Sequence, residues 1–125
     1  MPNHLDASQD EPIDYAEVLE RIGGDKCFLG ELLKIYFEEF NEKRPLLQAA
    51  IDQGDFTQIQ ELGHSLKGAS ANLSLTLLKK AAFSLEVAGR EKKIAQAQNA
   101  FRALESEYQR LKDHLRNSPF NALTT

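Results

Sequence analysis

His64 is followed by Lys67 and Gly68, and no other histidine of the chain has a lysine and a glycine at those two spacings. In an α-helix, positions three and four residues on lie one turn away on neighbouring parts of the surface. The three residues together suit one kind of chemistry. A neutral imidazole nitrogen is a nucleophile near neutral pH. It can attack a phosphoryl group and hold it as a phosphoramidate. The attached group brings about two negative charges, and a lysine ammonium one turn away can offset them as a point charge. Such transfer depends on in-line positioning and charge stabilisation more than on further covalent chemistry.

Glu61 stands one turn before the histidine. It can accept a hydrogen bond from one ring nitrogen and orient the other, or it is a solvated carboxylate. Close to a phosphoryl group it would repel it. Ser65 and Ala71 add small side chains around His64. Glycine inside a helix costs about 1 kcal/mol relative to alanine. Gly68 on an open face therefore reads as clearance for a partner rather than as packing.

The helix that must carry these residues follows Asp55 as its cap, with Gln58 three residues on and Asn72 close to its end. On a wheel of about 100° per residue centred on Leu66, Ile59, Leu62, Ala69, Ser70 and Leu73 fall within roughly 60°. That stripe faces the core. His64 falls roughly 160° away, towards solvent.

Four more helices are legible. A short one over 15–22 follows Asp14 and ends at Gly23-Gly24. Asp25 caps the next, with apolar positions Phe28, Leu29, Leu32, Leu33, Tyr36, Phe37 and Phe40. Pro45 interrupts a pattern that resumes with Leu46, Leu47, Ala50 and Ile51, making this either one long helix with a kink or two helices end to end. Ser74 is a suitable cap for a fourth helix built on Leu77, Leu78, Ala81, Ala82, Leu85 and Ala88, which Gly89 weakens or ends. A fifth starts near Glu91 and carries Ile94, Ala97, Phe101, Leu104, Tyr108, Leu111 and Leu115. No segment reads as a strand. Short connections make neighbours antiparallel, so the expected fold is all-α: an up-down-up-down four-helix bundle with an extra short N-terminal helix. The domain is expected over 13–116, with a leader over 1–12 and a tail over 117–125.

Composition narrows the function. The 125 residues carry a net charge of −4 and are 42% hydrophobic. An acidic chain is a poor match for nucleic acid. No apolar run is long enough to span a membrane, and the polar start is not a signal peptide. The single cysteine, Cys27, excludes an internal disulfide and reads as a small buried hydrophobe. A cytoplasmic monomer is expected. Met1 and the polar leader favour a free-standing protein over a piece of a larger kinase. His4 and His114 lack metal-ligand spacing, so no metal is expected. His114 suits the negative end of a helix.

The run His64-Ser65-Leu66-Lys67-Gly68-Ala69-Ser70-Ala71-Asn72-Leu73 resembles the signature of the histidine-containing phosphotransfer (HPt) family. Gly54-Asp55, Leu85-Glu86 with Arg90, and the stretch from Leu19 to Leu33 sit where members tend to have similar residues. The resemblance implies a phosphocarrier without kinase activity. It would accept a phosphoryl group on His64 from a receiver-domain aspartate and pass it to another receiver, with a hybrid sensor histidine kinase upstream. It implies a phosphate-holding role for Lys67, partner clearance at Gly68 and docking charge from Arg90. No cofactor is implied, Mg²⁺ being expected only on the partner receiver. Two departures stand out. Ser74-Leu75 replaces a frequent Gly-Ala, and Glu86 stands where some members have an amide that touches the phosphohistidine. A carboxylate pointing inwards there would repel the phosphoryl group, so Glu86 is expected to turn out to solvent. Docking candidates are Gln60, Glu61, Ser65, Ala71 and Ser74, with Lys79, Lys80 and Phe83 on the next helix. A helical module that binds receivers without moving a phosphoryl group is the competing expectation. A metal or cofactor enzyme lacks any ligand set.

Overall fold

Three aspartates start three of the helices. Asp14, Asp25 and Asp55 each accept a hydrogen bond from the backbone N–H three residues on, at 3.1, 3.0 and 3.1 Å. Each satisfies one of the donors that a helix start leaves open. The computed structural model describes residues 11–117. Most of the expected leader and tail lies outside them. The helices are α1 (Tyr15–Arg21), α2 (Lys26–Gln53), α3 (Phe56–Asn72), α4 (Thr76–Glu91) and α5 (Ile94–Arg116). Among the described residues there is no strand.

The architecture is the expected one: a four-helix bundle, α2 to α5, with α1 as the extra short helix. Helix α3 packs most closely on α4, α4 on α5, and α2 on α3. The stripe on α3 faces the core, with Ile59, Leu66 and Ser70 inaccessible and Ala69, at its edge, half-buried. Across the bundle, the Phe40 and Tyr108 rings stack with centroids 3.7 Å apart. Helix α2 runs unbroken through Pro45.

Several local expectations are corrected. Cys27 is exposed, because it falls roughly 160° around α2 from the fully buried Leu29. Phe28 and Leu46, counted with the apolar stripe of α2, are 44% and 53% exposed. Ser74 does not cap α4: the cap position is Leu75, with no side-chain hydrogen bond. Ser74 instead adopts a left-handed φ of 55°, and its hydroxyl donates to Glu17 at 2.6 Å. Helix α4 passes through Gly89 to Glu91, and α5 begins three residues later than expected, at Ile94.

Helix α1 fixes the far end of the histidine helix. Arg21 donates to the carbonyls of Ala71 and Asn72, at 3.2 and 2.6 Å. These are among the last-turn carbonyls of α3, which have no partner within their own helix. The N–H of Asp14 donates to the carbonyl of Ser74 at 3.0 Å. With the Ser74 hydroxyl on Glu17, four hydrogen bonds tie the end of α3 and the α3–α4 turn to α1 and its cap.

Candidate functional site

Two glycines bring α3 and α4 together at backbone distance. A Cβ on Gly63 would lie 2.6 Å from the backbone nitrogen of Glu86. A Cβ on Gly89 would lie 2.5 Å from the backbone nitrogen of Gln60. Each glycine is thus filled by the backbone of the opposite helix. The approach sets Glu86 of α4 beside His64 and Lys67 of α3.

The His64 side chain is 69% exposed, as the wheel requires. Its Nδ1 lies 3.1 Å from Oε2 of Glu86. Lys67 Nζ lies 2.8 Å from the other carboxylate oxygen, Oε1. Glu86 itself is buried. The expectation that it turns out to solvent is overturned: the glycine contacts hold its backbone against α3, and its carboxylate reaches the two basic side chains there. The Lys67 ammonium, and after it the His64 ring, hold the Glu86 carboxyl below its usual range against the opposing effect of burial.

An ionised carboxylate only accepts hydrogen bonds. Nδ1 of His64 must therefore carry the proton. In the neutral ring, the lone pair is then on Nε2. The arrangement orients one nitrogen and leaves the other as the nucleophile.

Glu61 is exposed and makes no contact with the ring close enough to be a hydrogen bond or ion pair. It lines a groove of about 420 Å³ with Thr57, Gln60, His64 and Glu86. Glu86, not Glu61, is the acid that meets the histidine. Gly68 is exposed and has nothing within 4 Å of where a Cβ would stand. Ser65 and Ala71 are half-buried on the flanks, and Arg90 is exposed one turn beyond Glu86. Phe83 is 47% exposed, and Lys67 Nζ lies 5.1 Å from its ring centroid. Of the other docking candidates, Ser74 is buried and engaged with Glu17.

The sequence reading passed over Gly63 and Gly89 as contact points. Gly63 did carry a signal: it falls roughly 60° from Leu66, at the edge of the core stripe. Among the described residues, no group of three or more His, Cys, Asp or Glu side chains is placed to hold a metal ion.

The family model of the Hpt domain matches residues 31–114, which span all of α3 and α4 and most of α2 and α5. The chain belongs to the Hpt domain family. No curated protein and no solved structure matches it. Hpt domains are the histidine phosphotransfer modules of phosphorelays, and they are carriers rather than enzymes. Their partners are in general receiver domains and kinases. The site described above lies within the matched part of the Hpt domain. Among the described residues, no helix is long and apolar enough to cross a membrane.

Proposed function

We propose that this chain carries a phosphoryl group on His64 between receiver domains of a two-component phosphorelay. The observation that supports this most is the exposed His64 side chain with its Nδ1 engaged by Glu86, which leaves Nε2 as the nitrogen for attack. In the forward step, Nε2 attacks the phosphorus of an aspartyl phosphate on a receiver. The N–P bond forms, the acyl O–P bond breaks, and the aspartate carboxylate leaves with the electron pair. In the return step, a second aspartate attacks and the N–P bond breaks. With the proton kept on Nδ1 by Glu86, the leaving group is neutral imidazole rather than its anion. Lys67, paired with Glu86 at 2.8 Å one turn from the histidine, can turn towards the new phosphoryl oxygens and offset them. The open surface at Gly68 gives the partner backbone room beside the ring.

The chain supplies no catalytic metal in this scheme; a divalent cation belongs to the receiver. We read it as a cytoplasmic monomer served by a hybrid sensor kinase, with Ser65, Ala71, Glu61 and Arg90 around the docked partner. The test is transfer from a radiolabelled phospho-receiver in the presence of Mg²⁺. Wild type is expected to gain acid-labile label, and His64→Gln to gain none while keeping its helical circular dichroism. Absence of transfer from every receiver of the same organism would overturn the proposal. Receiver binding that persists in His64→Gln, with no label on either protein, would instead assign a docking module.

A further inference from the structure

His64 stands on a border between two unlike surfaces. On one side is the groove with Thr57, Gln60 and Glu61, whose charged members besides the histidine are Glu61 and Glu86. On the other side is a cleft of about 510 Å³ lined by Lys67, Thr76, Lys79, Lys80 and Phe83. Its three charged residues are all lysines, in a chain with four more acidic than basic side chains. Its floor is apolar, formed by the half-exposed Phe83 ring and the lysine stems. Lys79 and Lys80 are exposed, and neither has a carboxylate within ion-pair distance among the described residues. Lys79 acts on a carboxylate only at longer range, adding a little to what holds Glu17 below its usual range. Lys67 belongs to both places: it lines the cleft and touches the carboxylate that holds His64.

We propose that this cleft seats the acidic, aspartate-bearing face of the receiver domain, so that the partner meets His64 from the α4 side. The inference rests on the phosphocarrier reading and adds the direction and register of docking to it. A site that phosphorylates an aspartate and holds a divalent cation is itself built from carboxylates. Carboxylates are repelled by the Glu61 groove and attracted by the lysine cleft. Paired patches of opposite sign steer encounter and fix register. The Phe83 ring supplies the aromatic anchor that such interfaces favour at their centre. Docking there also brings the partner's negative charge to Lys67, which then shifts from Glu86 towards the phosphoryl group.

The test compares two charge reversals of equal size in the receiver transfer assay. One is Lys79→Glu with Lys80→Glu. The other is Arg102→Glu with Arg116→Glu on α5, the helix diagonal to α3, which contributes no residue to the cleft. The first pair is expected to lower kcat/KM for transfer at least about tenfold at low salt, with the deficit shrinking at about 0.5 M salt. The α5 pair is expected to change it less than about twofold. Phe83→Ala is expected to raise KM at both salt levels, with kcat retained. Circular dichroism and thermal melting check that all variants are folded. Equal effects of the two reversals, with wild type active, would overturn the docking proposal and leave the phosphocarrier reading standing. An inactive wild type would remove both. Sedimentation showing a wild-type dimer that Phe83→Ala dissolves would give the cleft to a second copy of the chain and overturn the receiver as its occupant.

Discussion

At the scale of single residues, Glu86 decides what His64 can do. Glu86→Gln keeps the shape and removes the charge that fixes the proton on Nδ1. We expect phosphoryl acceptance to slow on the order of tenfold or more in kcat, with a smaller change in KM for the receiver. Rapid-quench transfer kinetics check this, and unchanged kcat would count against the role given to the carboxylate. The same residue predicts an acid response. Its carboxyl titrates below its ordinary value of 4.5 in the folded protein. Stability from the Lys67–Glu86–His64 contacts is therefore full above that value and is lost as pH falls through the lower folded one. Urea unfolding between pH 3 and 6 should show a shallower acid limb in Glu86→Gln than in wild type. The exposure of His64 was legible in the sequence, because it depends only on the position of a residue around its own helix. The direction of Glu86 was not. It depends on how near α4 comes to α3, and a wheel drawn for one helix holds no such distance.

At the scale of elements, three glycines of α3 and α4 have opposite expected effects. Gly63→Ala and Gly89→Ala force a methyl group against backbone that has no room to yield. Each should cost about 1–3 kcal/mol by overpacking, and each should part His64 from Glu86. Gly68→Ala meets open space. It should stabilise the protein by up to about 1 kcal/mol through helix propensity, while slowing transfer if partner backbone passes there. Chemical denaturation of the three variants, with transfer rates alongside, tests both signs. Helix starts at Asp14, Asp25 and Asp55 were readable because a cap is a local device: the side chain bonds the backbone three residues on. The start of α4 was misread for the converse reason. Ser74 has the chemistry of a cap, but Glu17 from α1 claims its hydroxyl, and only the tertiary fold brings that carboxylate near. Gly89 looked like a helix end because propensity is a weak prior that close packing overrides.

At the scale of the whole molecule, the bundle was legible from the period of its apolar residues and the shortness of its connections. The outliers were Phe28 and Leu46, whose hydrophobicity says nothing about whether a neighbour is present. The core makes its own prediction in alkali. Burial raises the Tyr108 hydroxyl to about 12 and pushes Tyr36 up as well. A raised folded value means stability is full below the ordinary tyrosine value of 10.0 and is lost as pH rises through the folded values. Wild type should thus weaken steadily above pH 10. Tyr36→Phe with Tyr108→Phe should flatten that limb, though loss of the Tyr36–Ser70 hydrogen bond, 2.8 Å long, costs about 1 kcal/mol at neutral pH. Equal alkaline slopes in the two proteins would refute the assignment. The glycine contacts carry one last consequence. Gly63 and Gly89 act as a registration pin that fixes which turn of α3 faces which turn of α4. A residue inserted within α3 after Gly63, or within α4 before Gly89, rotates everything beyond it by a helical step and takes Glu86 off the histidine. A residue inserted in the turn between the helices leaves the pin engaged. An insertion scan should therefore find a tolerant point at the turn, flanked on both sides by stretches whose length, as much as their composition, is under constraint.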